Sequence, residues 1–209
     1  MEFIEKQNNY NVLLNFVVLG DYFVGKTILS KRVKIINKKL SLLPLKYKST
    51  ISPDFDAIYV KINDKIIHIN LWDCDADVDI PRMGIVFPSN SDAFLILYDA
   101  QSRKSFEKAI KIYKYIKEYI NRNKGAIYIL VRSKYELNKI EQDNGNNFVS
   151  DEEALEFVEK NNIIFCHISS LQQHESGRKE LFSLILKRLF RERTYKQMEK
   201  FIFININKK

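Results

Sequence analysis

The clearest chemistry in the chain lies in the run Gly20-Asp21-Tyr22-Phe23-Val24-Gly25-Lys26-Thr27. Two glycines five positions apart, followed at once by Lys and Thr, form the pattern of a phosphate-binding loop, provided a strand precedes it and a helix follows. Gly20 and Gly25 let the backbone wrap a phosphate group, and the exposed N–H groups with the helix dipole attract its negative charge. Lys26 adds a point charge for the outer phosphates, and the Thr27 hydroxyl suits Mg²⁺. The competing reading is a chance match in a lysine-rich chain, but chance does not also supply the flanking strand and helix.

Those flanking elements are legible. Val12 to Leu19 is a short apolar run ending at Gly20, as a buried parallel strand would be, and Thr27 to Ile36 carries Ile28, Leu29, Val33 and Ile36 at helical spacing. The stretch from Asn37 to Pro53 reads as loop. Ile58, Val60 and Ile62, then Ile67, Ile69 and Leu71, alternate with polar residues around Asn63-Asp64, which predicts a β-hairpin. From Cys74 to Asp92 the pattern dissolves, and Phe94 to Tyr98 restores a buried strand. Ser105 to Tyr119 reads as an amphipathic helix with Phe106, Ala109, Ile110, Tyr113 and Ile116 on one face and lysines opposite. Ile127 to Val131 is the next strand. Ser150 can cap a helix in a reciprocal box with Glu153, Ile163 to Ile168 is a last strand, and Leu181, Ile185 and Leu189 mark a last helix. The order β-α-β-β-β-α-β-α-β-α predicts a mostly parallel sheet of six strands, one antiparallel, with helices on both faces. Ligands of such sheets bind at the carboxyl ends of the strands, where the glycine-rich loop falls.

Composition narrows the classes. With 209 residues, 45% of them hydrophobic, the chain fits one core. The expected division is a polar N-terminal extension over 1–11, one domain over 12–193 and a basic, aromatic tail over 194–209. No stretch approaches the ~20 apolar residues of a membrane span, and the first residues lack the layout of a signal peptide, so a soluble, intracellular protein is expected. Cys74 and Cys166 have no second Cys or His at ligand spacing, which argues against a disulfide framework or a zinc site; His167 beside Cys166 reads as a chance neighbour. The net charge of +8 is spread over lysines in every segment, among many Asn and Ile, and carries no nucleic-acid-binding signature; no nucleic acid partner is expected.

Beyond the glycine-rich loop, several segments resemble the small GTPases of the Ras superfamily, and the Rab type in particular. Ser49-Thr50-Ile51-Ser52-Pro53-Asp54-Phe55 is similar to the first switch, and Ile69-Asn70-Leu71-Trp72-Asp73 to the strand leading into the second. Tyr98-Asp99, Ser105-Phe106 and the helix start Val149-Ser150-Asp151-Glu152-Glu153-Ala154 also match, so the similarity runs from about Asn15 to Phe190. It implies the P-loop NTPase fold of a small G domain that binds GTP or GDP with Mg²⁺. Gly20 to Thr27 and the amide of Ala76 would meet the phosphates. Thr27, Thr50 and Asp73 would organise the metal. Ser133, Lys134, Glu136, Ser169 and Ser170 would line the base. Regions 44–56 and 73–92 would face effectors or regulators.

The sequence departs from the family where hydrolysis and base reading are concerned. After Asp73 the family has Thr-Ala-Gly-Gln, whose Gln orients the attacking water; here stand Cys74, Asp75, Ala76 and Asp77. Asp77, in the Gln position, is short and acceptor-only when ionised, so no catalytic residue is assigned. Tyr22 and Phe23 replace small residues and would crowd a water or an inserted arginine finger. The family's Asn-Lys-x-Asp appears as Ser133-Lys134-Tyr135-Glu136, and its Ser-Ala-Lys as Ser169-Ser170-Leu171. Losing one or two hydrogen bonds to the base costs about 1–3 kcal/mol and relaxes base choice.

No cysteine lies beyond Cys166, so no C-terminal prenyl anchor is expected. Phe201-Ile202-Phe203-Ile204, flanked by lysines, fits an interfacial or partner-binding segment or a disordered end. The resemblance thus implies a cytoplasmic, Rab-like switch of membrane traffic, in peripheral contact with endomembranes and with weak hydrolysis. The rival is a pseudo-GTPase, an interaction module that binds nucleotide constitutively or not at all. A P-loop ATPase or kinase would need an adenine site and an arginine lid, and the sequence offers neither.

Overall fold

The computed structural model describes residues 1–34, 54–74, 88, 90–120, 125–134, 147–168 and 175–192. Within them run the strands β1 (Glu2–Ile4), β2 (Val12–Gly20), β3 (Asp54–Ile62), β4 (Lys65–Asp73), β5 (Ala93–Asp99), β6 (Ile127–Ser133) and β7 (Ile164–His167). The helices are α1 (Lys26–Lys34), α2 (Arg103–Tyr115, continued by a π-turn over Ile116–Ile120), α3 (Asp151–Asn161) and α4 (Glu175–Glu192).

The strands form one seven-stranded sheet in the order β1-β3-β4-β2-β5-β6-β7. Among the described strands β3 alone opposes its neighbours, antiparallel to β1 and to β4, while the remaining pairs are parallel. The expected hairpin closes at the pair Ile62 with Lys65, and Asn63 turns the corner at φ +52°. β5 is buried along its whole length, as its unbroken apolar run implied.

Alternation along β2 divides the core. Leu14, Phe16 and Val18 join Leu29 of α1 and Phe182, Ile185 and Leu189 of α4 on one face. Val17 and Leu19 join Phe106 and Tyr113 of α2 and Ala154 and Val158 of α3 on the other. Helices on both faces thus fix the sheet, and the helix starts lie toward the carboxyl ends of the parallel strands.

The structure corrects the sequence reading in several particulars. The sheet has a seventh strand because Glu2–Ile4, placed by the sequence in a polar extension, pairs with β3. Phe3 anchors it: the ring is buried and meets Phe182 edge-on at 5.6 Å. Helix α2 begins two residues earlier than the pattern suggested because the Ser102 hydroxyl accepts the Ser105 amide as an N-cap. Ser150 caps α3 through the Glu153 amide as expected, whereas the Glu153 carboxylate goes to Arg103, through two hydrogen bonds of 2.7 and 2.8 Å.

Candidate functional site

The glycine-rich loop joins the carboxyl end of β2 to the first turn of α1, as its sequence context predicted. Gly20 has φ +144°, and a Cβ there would stand 2.5 Å from the Leu97 carbonyl oxygen of the neighbouring β5, so the strand end has room only for glycine. Gly25 has φ +95°, where an added Cβ would meet nothing within 4 Å; backbone conformation, not crowding, calls for glycine. Its carbonyl accepts from Leu29 N at 3.0 Å, the first bond of α1. Val24 is buried and pins the middle of the loop to the core.

Lys26, 7% exposed, turns back over the loop, and its Nζ donates to the carbonyls of Gly20 at 3.1 Å and Asp21 at 2.8 Å. The ammonium therefore lies over the loop that leads into the N-terminus of α1. That is an arrangement for binding an anion. Phe23 has φ +60° and is 62% exposed. Tyr22 lies beside it, the ring centroids 6.4 Å apart.

Asp73 ends β4 opposite Val18 of β2 and is buried, and the Cys74 amide continues the pairing by donating to the Val18 carbonyl at 3.2 Å. β4 thereby delivers the carboxylate to the edge of the phosphate loop. Mg²⁺ takes hard oxygen donors, typically one or two carboxylates with phosphate oxygens and water. The Thr27 hydroxyl and the Asp73 carboxylate are oxygen donors of that kind.

The expected base side lies at the ends of β5 and β6, where Asp99 pairs in register with Ser133. Ser133 is buried and its hydroxyl donates to the Tyr98 carbonyl at 2.9 Å, within the sheet. Lys134, at φ +56°, forms an ion pair with the Asp99 carboxylate. Asp99 is itself held by its neighbours, its Oδ1 accepting from Gln101 N at 3.0 Å and its amide donating to the Ser105 hydroxyl at 3.0 Å. The structure thus brings Gly20 to Thr27, Asp73, Ser133 and Lys134 to the carboxyl ends of β2, β4 and β6. Thr50, Ala76, Asp77, Glu136, Ser169 and Ser170 lie outside the described residues, as does the tail over 194–209.

Two residues to which the sequence assigned no role at the site lie beside it. Asp99 positions Lys134, and Lys108 of α2 places its Nζ 2.8 Å from the Asp21 carboxylate in the phosphate loop. Lys108 and Asp21 stand 87 positions apart, and in the sequence Lys108 is one of several lysines on the polar face of an amphipathic helix.

The comparisons with known proteins bear on the same elements. The sequence profile of the Ras family matches residues 15–191. Ras-related protein RABG3b of Arabidopsis thaliana is 29% identical over 165 residues, which cover 78% of this chain and 77% of that protein. Ypt/Rab-type GTPase Rab7 of Gibberella zeae is 36% identical over 96 residues, 46% of this chain and 44% of that protein. Ypt/Rab-type GTPase ypt7 of Schizosaccharomyces pombe is 34% identical over 95 residues, again 46% and 44%. In these last two the alignment spans less than half the length of the relative. Among the described residues no helix is long and apolar enough to cross a membrane.

Proposed function

The chain belongs to the Ras family of small GTPases, related to the Rab7-like proteins, and we propose that it is a Rab-like switch that binds GTP and GDP with Mg²⁺. The observation that carries the reading is the loop between β2 and α1, where buried Lys26 lies over the Gly20 and Asp21 carbonyls at the N-terminus of a helix. In this reading Lys26 and the loop amides, joined by that of Ala76, hold the phosphates. Thr27, Thr50 and Asp73 bind the metal, and the Lys134 stem lies across the purine, with Glu136 and the backbone at Ser169 and Ser170 at its edge. Regions 44–56 and 73–92 present a surface that depends on the nucleotide to effectors or regulators. The Rab-like resemblance of the sequence implies a role in membrane traffic, exercised from the cytoplasm in peripheral contact with a membrane. Denaturing the purified protein and identifying the released nucleotide by mass spectrometry tests this. GDP or GTP supports it; an adenine nucleotide contradicts it.

A second reading, a pseudo-GTPase interaction module that binds nucleotide constitutively or not at all, draws on the Ser133 hydroxyl, committed to the Tyr98 carbonyl, and on the exposed Phe23. The two readings part on whether a bound partner distinguishes the GTP form from the GDP form.

A further inference from the structure

We propose that Lys108 is a positioning residue for the phosphate loop, holding the Asp21 carboxylate away from the bound phosphates and neutralising it. The inference rests on the nucleotide-binding reading above. A carboxylate within a loop built for anions opposes the ligand that the loop's amides attract. In this chain Asp21 is held at two atoms from two directions. Its carbonyl accepts from Lys26 Nζ at 2.8 Å, and its carboxylate takes Lys108 Nζ at 2.8 Å from α2.

The same ammonium lies 5.3 Å from the centre of the Tyr22 ring, a cation–π contact that fixes the next residue of the loop against the helix. Helix α2 is a firm support, since Ser105, Phe106, Ala109 and Ile112 on either side of Lys108 are buried. The Asp21 and Lys108 side chains are 14% and 28% exposed, so the pair is only partly screened by solvent. Phe23 follows directly at φ +60°, a region that bulky residues occupy only when their surroundings impose it. Anchoring Asp21 and Tyr22 to α2 supplies that constraint on the loop's incoming side.

The Asp21 charge is the reason Lys108 matters, and titration of a fluorescent GDP analogue into the full chain and its variants in Mg²⁺ tests this. Lys108→Gln should weaken binding by about fivefold at low salt, the upper range for a partly exposed ion pair. Its melting temperature should stay near that of the parent, and the deficit should shrink as salt rises. Lys108→Arg should bind as the parent does, and Asp21→Asn combined with Lys108→Gln should recover the lost affinity, because the charge needing compensation is gone. Parent-like binding by Lys108→Gln would overturn the proposal while leaving the nucleotide reading intact. A loss that Asp21→Asn does not rescue, or one that tracks a fall in melting temperature, would also overturn it, leaving Lys108 a structural residue. Absence of binding by the parent chain would overturn the nucleotide reading and the proposal with it.

Discussion

The Lys26 ammonium donates to the Asp21 carbonyl at 2.8 Å, folding the lysine back over the loop that precedes it. With the second bond to the Gly20 carbonyl, the charge is satisfied within the protein although the residue is almost fully buried. Burial of a lysine without such partners would be costly. The loop's own carbonyls therefore help to hold its cation in place.

The short strand β1 should contribute to stability out of proportion to its length. Phe3 is buried against Phe182, which in turn meets Phe16 with ring centroids 5.8 Å apart. Phe3→Ala should cost about 3 kcal/mol in urea unfolding, with the slope unchanged. A loss within experimental error would mean that β1 does not close the sheet edge.

Stability should fall as pH drops from 7 to 5, in part through His68. Its ring stacks on Tyr59 at 4.5 Å and meets Tyr10 edge-on at 4.9 Å, and among the described residues neither ring nitrogen has a hydrogen-bond partner. Burial, assisted by the Lys6 charge, lowers its pKa from the ordinary 6.5. The unfolded chain therefore binds a proton that the folded chain resists, so the folded state is favoured above the unfolded-state pKa and loses that advantage as pH falls below it. His68→Phe keeps a ring between the tyrosines and should flatten the fall of the melting temperature over this range. An unchanged slope would remove His68 from the cause.

Intrinsic GTP hydrolysis should be slow. Small GTPases hydrolyse unaided at roughly 10⁻⁴–10⁻³ s⁻¹ with a Gln orienting the water, and Asp77 stands in that position here. In a single-turnover assay, phosphate release should lie about tenfold or more below that range. Asp77→Gln with Ala76→Gly should raise it. If the double variant binds nucleotide yet stays inert, the fault lies with Tyr22 and Phe23; release by the parent at the ordinary rate would defeat the prediction.

Most of the sheet was legible because its strands differ in how they are buried. β5 is an unbroken apolar and aromatic run up to Asp99, and β4 alternates like its hairpin partner β3, so each announced its place. β1 did not, since three residues with one buried aromatic offer no period to read. The phosphate loop was legible because its chemistry is local: glycines, a lysine and a helix start within eight residues. What stayed hidden is contact at a distance. Lys108 gains its role from Asp21, 87 positions away, and Lys134 meets an Asp99 that lies 35 positions before it. The inward turn of the Ser133 hydroxyl was equally hidden, because it depends on the Tyr98 carbonyl of the adjacent strand.

The central claim, that this loop holds the phosphates of a guanine nucleotide, is tested most directly by equilibrium titration of GDP with Mg²⁺ into the parent chain and Lys26→Ala. Lys26 supplies the loop's buried cation, bound to the Gly20 and Asp21 carbonyls. A charge-assisted contact to phosphate is worth roughly 1.5–3 kcal/mol, so the substitution should weaken binding by at least about tenfold. The parent should bind GDP in preference to ADP. Equal affinity of parent and Lys26→Ala for GDP would contradict the account.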